Sequence, residues 1–244
     1  MLVIPAYRES ERLPPFLESL CSAVEAAKLP VTIRTVDDGS GETESATLRD
    51  TVERMRSRHP SLDEPLLLPA NRGKGGAVYA GWDSVDGDGF DWLAFVDADG
   101  AVSAPETVRV LSAANATDPI DNVSLFAVRV HEAGTEVHRK LLRKILGDTF
   151  RLLVKITFRL PLRDTQCGCK IVPSHCYQNV RPFLSEHRFV FDVELAARLI
   201  RRGYTIREIP ISWDESPGGH LGLRSAARML TALLGIRWRL TTKR

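Results

Sequence analysis

Trp92-Leu93-Ala94-Phe95-Val96-Asp97-Ala98-Asp99-Gly100 is an apolar run that stops on two carboxylates one residue apart. A strand that carries acids past its buried end presents them at the edge of its sheet, where open α/β folds bind ligands. Residues i and i+2 of an extended chain face the same way, so Asp97 and Asp99 can share one hard cation. The same spacing also occurs in plain turns, so the rest of the chain has to decide between the two.

Outward from this strand the first half alternates strand and helix. Leu2–Pro5, Val31–Val36, Pro65–Leu68 and Trp92–Val96 read as strands, and Ser10–Lys28, Thr43–His59, Gly75–Val85 and Pro105–Asn115 as helices. Ser103 and Pro105 are natural capping and first-turn residues for the last of these. Repeated units of this length predict an α/β fold with a mainly parallel sheet and helices on both faces. The second half is less regular. It offers strands at Ser124–Val130, Gly168–Val172 and Tyr204–Trp213, and helices at His138–Phe158, Phe191–Arg202 and Leu221–Leu240, with Gly203 as a left-handed stop. No repeat or linker divides the chain. The expectation is one domain over 1–244, with a regular half at 1–115 and a less regular half at 116–244.

The 244 residues are ordinary in hydrophobic content (43%) and charge (26%), so a soluble globular core is affordable. No basic–apolar leader opens the sequence and no 18-residue apolar run crosses it, so neither a signal peptide nor a transmembrane span is expected. Cys21, Cys167, Cys169 and Cys176 lack paired Cys-x-x-Cys spacing and read as reduced cytosolic thiols rather than zinc ligands. The net charge of +2 conceals segregation. Residues 137–163 carry eight Lys/Arg against one acid and residues 216–244 six against none, which leaves 19 basic against 30 acidic residues elsewhere. Two segments therefore face an anionic partner.

Four loops carry the polar residues at strand ends: Pro5-Ala6-Tyr7-Arg8-Glu9, Asp37-Asp38-Gly39-Ser40, Asn71-Arg72-Gly73-Lys74-Gly75-Gly76 and Asp97-Ala98-Asp99. In a doubly wound sheet they meet above one edge. A carboxylate there can accept an imide N–H, glycines allow backbone to approach a ligand, and Arg72 or Lys74 supplies charge for phosphate. The glycine run fits neither the P-loop nor the dinucleotide pattern. Together the loops favour a nucleotide-diphosphate site.

The set Val3-Ile-Pro-Ala-Tyr7, Val36-Asp-Asp-Gly-Ser40, Asn71-Arg-Gly-Lys-Gly-Gly76 and Val96-Asp-Ala-Asp-Gly100 resembles the inverting family-2 glycosyltransferases of GT-A fold. Asp164-Thr-Gln-Cys-Gly-Cys-Lys170, Phe191-Asp-Val-Glu-Leu195 and Glu208-Ile-Pro-Ile-Ser-Trp213 look like the dolichyl-phosphate β-glucosyltransferase branch. The resemblance implies nucleotide-sugar binding for the half at 1–115 and acceptor binding for the half at 116–244. The resemblance implies that Pro5, Tyr7, Glu9 and Asp38, with Asp37 behind it, hold uridine and that Arg72 and Lys74 lie near the nucleotide. It implies that Asp97 and Asp99 bind Mg²⁺ or Mn²⁺, Asp99 the more directly. Ala101 stands where the related mannose synthases carry glutamine, which favours UDP-glucose over GDP-mannose. Cys169 departs from the aromatic residue usual there. The acceptor of this branch is a polyprenyl phosphate, already largely ionised near neutrality, for which Arg129, Arg139, Lys140 and Arg143 are the candidate grips. Asp192 or Glu194 is the candidate base, with a helix salt bridge as the alternative for Glu194 and a turn role as the alternative to substrate binding for Asp164.

The two basic segments, with Leu141, Leu142, Ile145, Leu146, Leu153 and Ile156 in one and Leu230, Leu233, Leu234, Ile236, Trp238 and Leu240 in the other, read either as interfacial amphipathic helices or as covers for the core. Nucleic acid is not expected. The reading is thus a metal-dependent transferase, peripheral at the cytoplasmic membrane face. Its rivals are a same-fold enzyme with a soluble or glycan acceptor and a non-catalytic nucleotide-sugar binder.

Overall fold

The computed structural model describes residues 1–130, 132, 134–138, 141–214 and 223–242, with backbone alone at 138, 141–146 and 223–227. The first half runs β1 (Leu2–Ala6), α1 (Leu13–Ala26), β2 (Ile33–Asp37), α2 (Glu42–Arg56), β3 (Leu66–Leu67), α3 (Lys74–Asp83), β4 (Trp92–Val96) and α4 (Ala104–Asn115). The remainder runs β5 (Val123–Val128), β6 (Val137–His138), α5 (Leu141–Phe158), β7 (Cys169–Pro173), α6 (Ser174–Val180), α7 (Phe191–Arg201), β8 (Thr205–Pro210), β9 (Trp213–Asp214) and α8 (Leu223–Thr242).

Seven strands form one sheet in the order β3-β2-β1-β4-β7-β5-β8, and β6 pairs with β9 apart from it. Every contact in the large sheet is parallel except those of β7, which runs antiparallel to both β4 and β5. Because Val96 pairs with Cys169, the turn that feeds β7 lies at the same sheet edge as Asp97. That reversal assembles the site.

Side-chain alternation divides the core between the two faces. Leu2, Ile4, Ala94, Val96, Leu125 and Ile171 pack with Leu17 and Leu20 of α1, Val52 of α2 and Val110 of α4. Val3, Val36, Phe95, Phe126 and Val172 face the other way, onto Tyr79 and Trp82 of α3, Leu195 of α7 and Ile236 of α8. The expected caps are present. Ser103 Oγ accepts the Glu106 N–H at 3.4 Å, and Gly203 takes φ +83° after α7.

Element bounds shift by a few residues throughout, and the second half departs most from expectation. The helix expected from His138 begins at Leu141, because Val137–His138 is drawn into β6. Tyr204–Trp213 is two strands, since the Ile211 N–H still reaches Val128 O at 3.1 Å whereas the Trp213 N–H reaches Glu136 O at 2.8 Å. Pro210, which has no N–H, ends β8 just before the change of partner. The short helix α6 was not expected.

Candidate active site

Asp97 leaves β4 with its N–H on Gly168 O at 2.9 Å. Its carboxylate is gripped by Lys74, whose Nζ lies 2.7 Å from Oδ1 and 2.9 Å from Oδ2. Burial pulls the Lys74 pKa down, but the charge of Asp97, followed by those of Asp192 and Asp99, more than reverses this and raises it. Asp99 is exposed at its tip and its Oδ1 accepts the Ala101 N–H at 3.0 Å. Desolvation by the cleft walls, then repulsion from Asp97, raises its pKa. Two hard carboxylates that repel each other, one already seating an ammonium, suit a divalent cation. No third Asp, Glu, His or Cys completes a cluster among the described residues, so water and phosphate oxygens would fill the other positions, as Mg²⁺ prefers.

The opposite wall of Asp97 is Gly168. A Cβ there would fall 2.1 Å from Asp97 Oδ2 and 2.3 Å from its Cγ, an impossible overlap. Gly168→Ala is therefore expected to displace the carboxylate and lower kcat/KM about 10–100-fold, the range for losing support behind a metal ligand. A double-mutant cycle with Asp97→Ala checks the route: the Gly168→Ala penalty should vanish once Asp97 is gone.

Asp37 and Asp38 are buried, and their oxygens are spent on loop structure. Asp37 accepts Ser40 Oγ, the Ser40 N–H and, at 2.6 Å, Ser45 Oγ, which ties the loop to the start of α2. Asp38 accepts the Arg72 and Gly73 N–H groups at 2.7 and 2.8 Å, and burial raises its pKa. Gly39 (φ +65°) lets the loop touch Ala70, where a Cβ would come within 2.4 Å of backbone. The glycines before α3 serve packing as well. A Cβ on Gly73 would meet His187 O at 2.6 Å and one on Gly75 would meet Phe191 Cβ at 2.4 Å, while the Gly76 N–H bonds His187 O at 2.9 Å. Close approach to a ligand was the expected reason for this run. The structure adds a second, the connector that leads into α7. Arg72 stands exposed beside it.

At the end of β1, Pro5 is half-buried and Tyr7 is exposed, with the Arg8 guanidinium 5.3 Å from its ring. Arg8 takes φ +58°, an uncommon conformation outside glycine, and its N–H bonds Ser40 Oγ at 2.8 Å. Glu9 pairs with Arg12 through Oε1, while its buried Oε2 has no hydrogen-bond partner among the described residues.

Of the two candidate bases, only Asp192 keeps an uncommitted oxygen. Its Oδ2 lies 3.5 Å from Lys170 Nζ and its buried Oδ1 has no partner among the described residues; desolvation raises its pKa. Lys170 is fully buried between Phe95 and Phe126 and donates to Cys167 O at 2.6 Å. Glu194 takes the geometry of the salt-bridge alternative. It is fully buried, accepts the Ser185 and Glu186 N–H groups at 2.8 and 2.6 Å, and pairs with Arg239 at 3.3 Å. The side chain of Asp164 is wholly buried and holds Arg129 through Nε at 2.7 Å and Nη2 at 3.0 Å, the turn role that was its alternative. Although burial pushes the Asp164 pKa up, the Arg129 charge wins and brings it to about 2. Arg129 also stacks 5.4 Å from the Trp213 ring centroid. It is a partly committed cation. Arg139 and Lys140 lie outside the described residues, as does the side chain of Arg143. Gly168, Lys170 and the connector at 185–190 were missed as contributors, because their partners are distant in sequence.

The amphipathic helices show both faces that the sequence left open. Leu233, Ile236 and Leu240 of α8 and Val154 of α5 are core, whereas Leu230, Leu234 and Trp238 of α8, with Leu152 and Ile156 of α5, are exposed. No helix among the described residues is long and apolar enough to cross a membrane.

Residues 1–176 match the family described as Glycosyl transferase family 2. The dolichyl-phosphate β-glucosyltransferase of Saccharomyces cerevisiae is 31% identical, with 91% of this chain and 69% of that one covered. The enzyme of the same name from Dictyostelium discoideum is 29% identical, with 98% and 73% covered, and that from Homo sapiens 30%, with 90% and 68%. Among solved structures, glucosyl-3-phosphoglycerate synthase of Mycobacterium tuberculosis, in complex with Mn²⁺, UDP and phosphoglyceric acid, superposes with a TM-score of 0.66 at 14% identity over 97% of this chain and 77% of its own. At that identity the likeness establishes the GT-A fold alone. The family match and the relatives above 30% establish more: this chain is a glycosyltransferase and belongs to family 2.

Proposed function

We propose that the chain transfers glucose from UDP-glucose to a dolichyl-type polyprenyl phosphate, with inversion, at a membrane surface. The observation that carries the donor side is the Asp97–Asp99 pair at the end of β4, braced by Lys74 and Gly168. The near full-length similarity to dolichyl-phosphate β-glucosyltransferases supports the glucose and the lipid.

In this reading Tyr7 offers its ring to the uracil, with the Glu9 carboxylate beside it. Asp37 and Asp38 shape that pocket through the loops they tie. Asp97 and Asp99 would hold Mg²⁺ or Mn²⁺, which supplies charge neutralisation for the departing diphosphate. Lys74, already cationic, adds a second positive charge near the same phosphates, with Arg72 behind it. The acceptor phosphomonoester is largely a dianion near neutrality, so positioning matters more than proton removal. Asp192 is the acid left to take a residual proton.

The exposed Leu152, Ile156, Leu230, Leu234 and Trp238, with Lys155, Arg159, Arg228 and Arg237 also exposed, support attachment to an anionic leaflet. Each basic residue near such a surface contributes about 1 kcal/mol. Vesicles rich in phosphatidylserine should pellet the protein, and Leu234→Ser/Trp238→Ser should release it; failure to pellet at low salt would remove membrane attachment.

The deciding assay offers labelled UDP-glucose with Mn²⁺ to polyprenyl phosphate and, separately, to 3-phosphoglycerate. Label is expected in the lipid product alone. Transfer to phosphoglycerate without lipid product would instead favour a soluble acceptor, and UDP binding without any transfer would favour a non-catalytic binder.

A further inference from the structure

The connector between the 3₁₀ turn at Arg181–Phe183 and α7 is pinned at several points. The Ser185 and Glu186 N–H groups bond Glu194, His187 O accepts the Gly76 N–H, and Phe189 O accepts Gln166 Nε2 at 3.5 Å. It therefore bridges the loop that carries Lys74 and the turn that carries Gly168. Those are the two elements that close on Asp97 from either side. Its tip holds Arg188 and Phe189, both exposed, with 59% of the phenylalanine open to solvent. Arg188 lies over Gly73, where a Cβ would meet its Cγ at 3.0 Å, and its charge reaches Asp38. It forms no ion pair among the described residues.

We propose that Arg188 and Phe189 are the docking point of the acceptor: the guanidinium takes the phosphomonoester and the phenyl ring takes the first units of its apolar chain. The inference rests on the polyprenyl-phosphate reading above. Three facts converge on it. Arg129, the expected grip, is held by Asp164 and Trp213. In that same reading the phosphates of the donor have Lys74, seated on Asp97, and the cation that Asp97 and Asp99 would hold. And a cation beside an exposed aromatic ring on an anchored loop matches a ligand that is anionic at one end and apolar beyond it.

The test compares Arg188→Ala, Phe189→Ala and Phe189→Leu in the full chain, with a long-chain polyprenyl phosphate and a short soluble prenyl phosphate as acceptors. KM is measured separately for donor and acceptor, and UDP affinity by calorimetry with Mn²⁺. Arg188→Ala should raise acceptor KM about tenfold or more for both chain lengths, the loss of one charge-assisted hydrogen bond, with UDP affinity within about twofold of wild type. Phe189→Ala should raise KM for the long chain about tenfold and erase the preference over the short one, while Phe189→Leu keeps most of it. A rise in donor KM with acceptor KM unchanged would overturn the assignment, as would wild-type kinetics in both alanine variants. If the wild type used no lipid phosphate at all, the parent reading would fall, an outcome distinct from failure of the docking point.

Discussion

Arg129→Met is expected to destabilise the protein by about 3–5 kcal/mol, the cost of stranding a buried charge by removal of its partner. The wholly buried Asp164 carboxylate owes its low pKa to Arg129, against burial that by itself would raise it. The sign with pH follows. In the wild type the folded pKa of Asp164, about 2, is below its unfolded value, about 3.9. Its stabilisation is therefore present above about pH 4 and lost as pH falls toward 2. Without Arg129 the folded pKa moves above the unfolded one. The stranded acid then costs stability at neutral pH and less as it protonates. Urea denaturation at pH 7 and near pH 4.5 should show the gap between variant and wild type narrowing in acid. Arg129→Met/Asp164→Asn, which keeps an acceptor for the Gln166 N–H but removes the charge, should recover most of the loss. If Arg129→Met alone is as stable as wild type, the pair is not what pins this turn.

Asp99→Ala should leave stability unchanged or slightly improved, because it removes an exposed acid repelled by Asp97. Its effect falls on function. kcat/KM is expected to drop at least about 10²–10³-fold, the scale for losing a group that stabilises charge developing on a leaving oxygen. UDP titrated calorimetrically with and without Mn²⁺ separates the roles. The variant should lose the metal-dependent gain in affinity and keep the metal-free affinity. Asp99→Ala turning over within threefold of wild type would remove this residue from the centre of the reaction.

What could be read from the sequence was local. Strand β4 and its two acids, the Ser103 cap and the Gly203 stop each announce themselves within a few residues. Glu194 and Asp164 could not be assigned that way. An acid on a helix face or in a turn looks the same whether it meets a substrate or a buried arginine, and here the partners are Arg239 and Arg129. The glycines at 73–76 were legible as a place of close approach, but not as to what approaches. The answer, residues 187–191, lies more than a hundred positions further on. The direction of β7 was equally hidden, since an apolar strand carries no mark of which way it runs. With it went the role of Gly168, a residue without a side chain whose importance is the space it leaves empty.

The antiparallel β7 also governs how this chain can be made. During synthesis β4 emerges long before the strand that will cover its edge, and β5, though made earlier than β7, reaches β4 only through it. Until β7 leaves the ribosome, the apolar Trp92–Val96 strand offers an open edge, which is a pairing hazard in any nascent chain. The growing polypeptide therefore has a built-in waiting period at the centre of its sheet. A chaperone that shields β4 during that interval would protect the fold and, because the seat of Asp97 is completed by the same strand entry, the activity along with it.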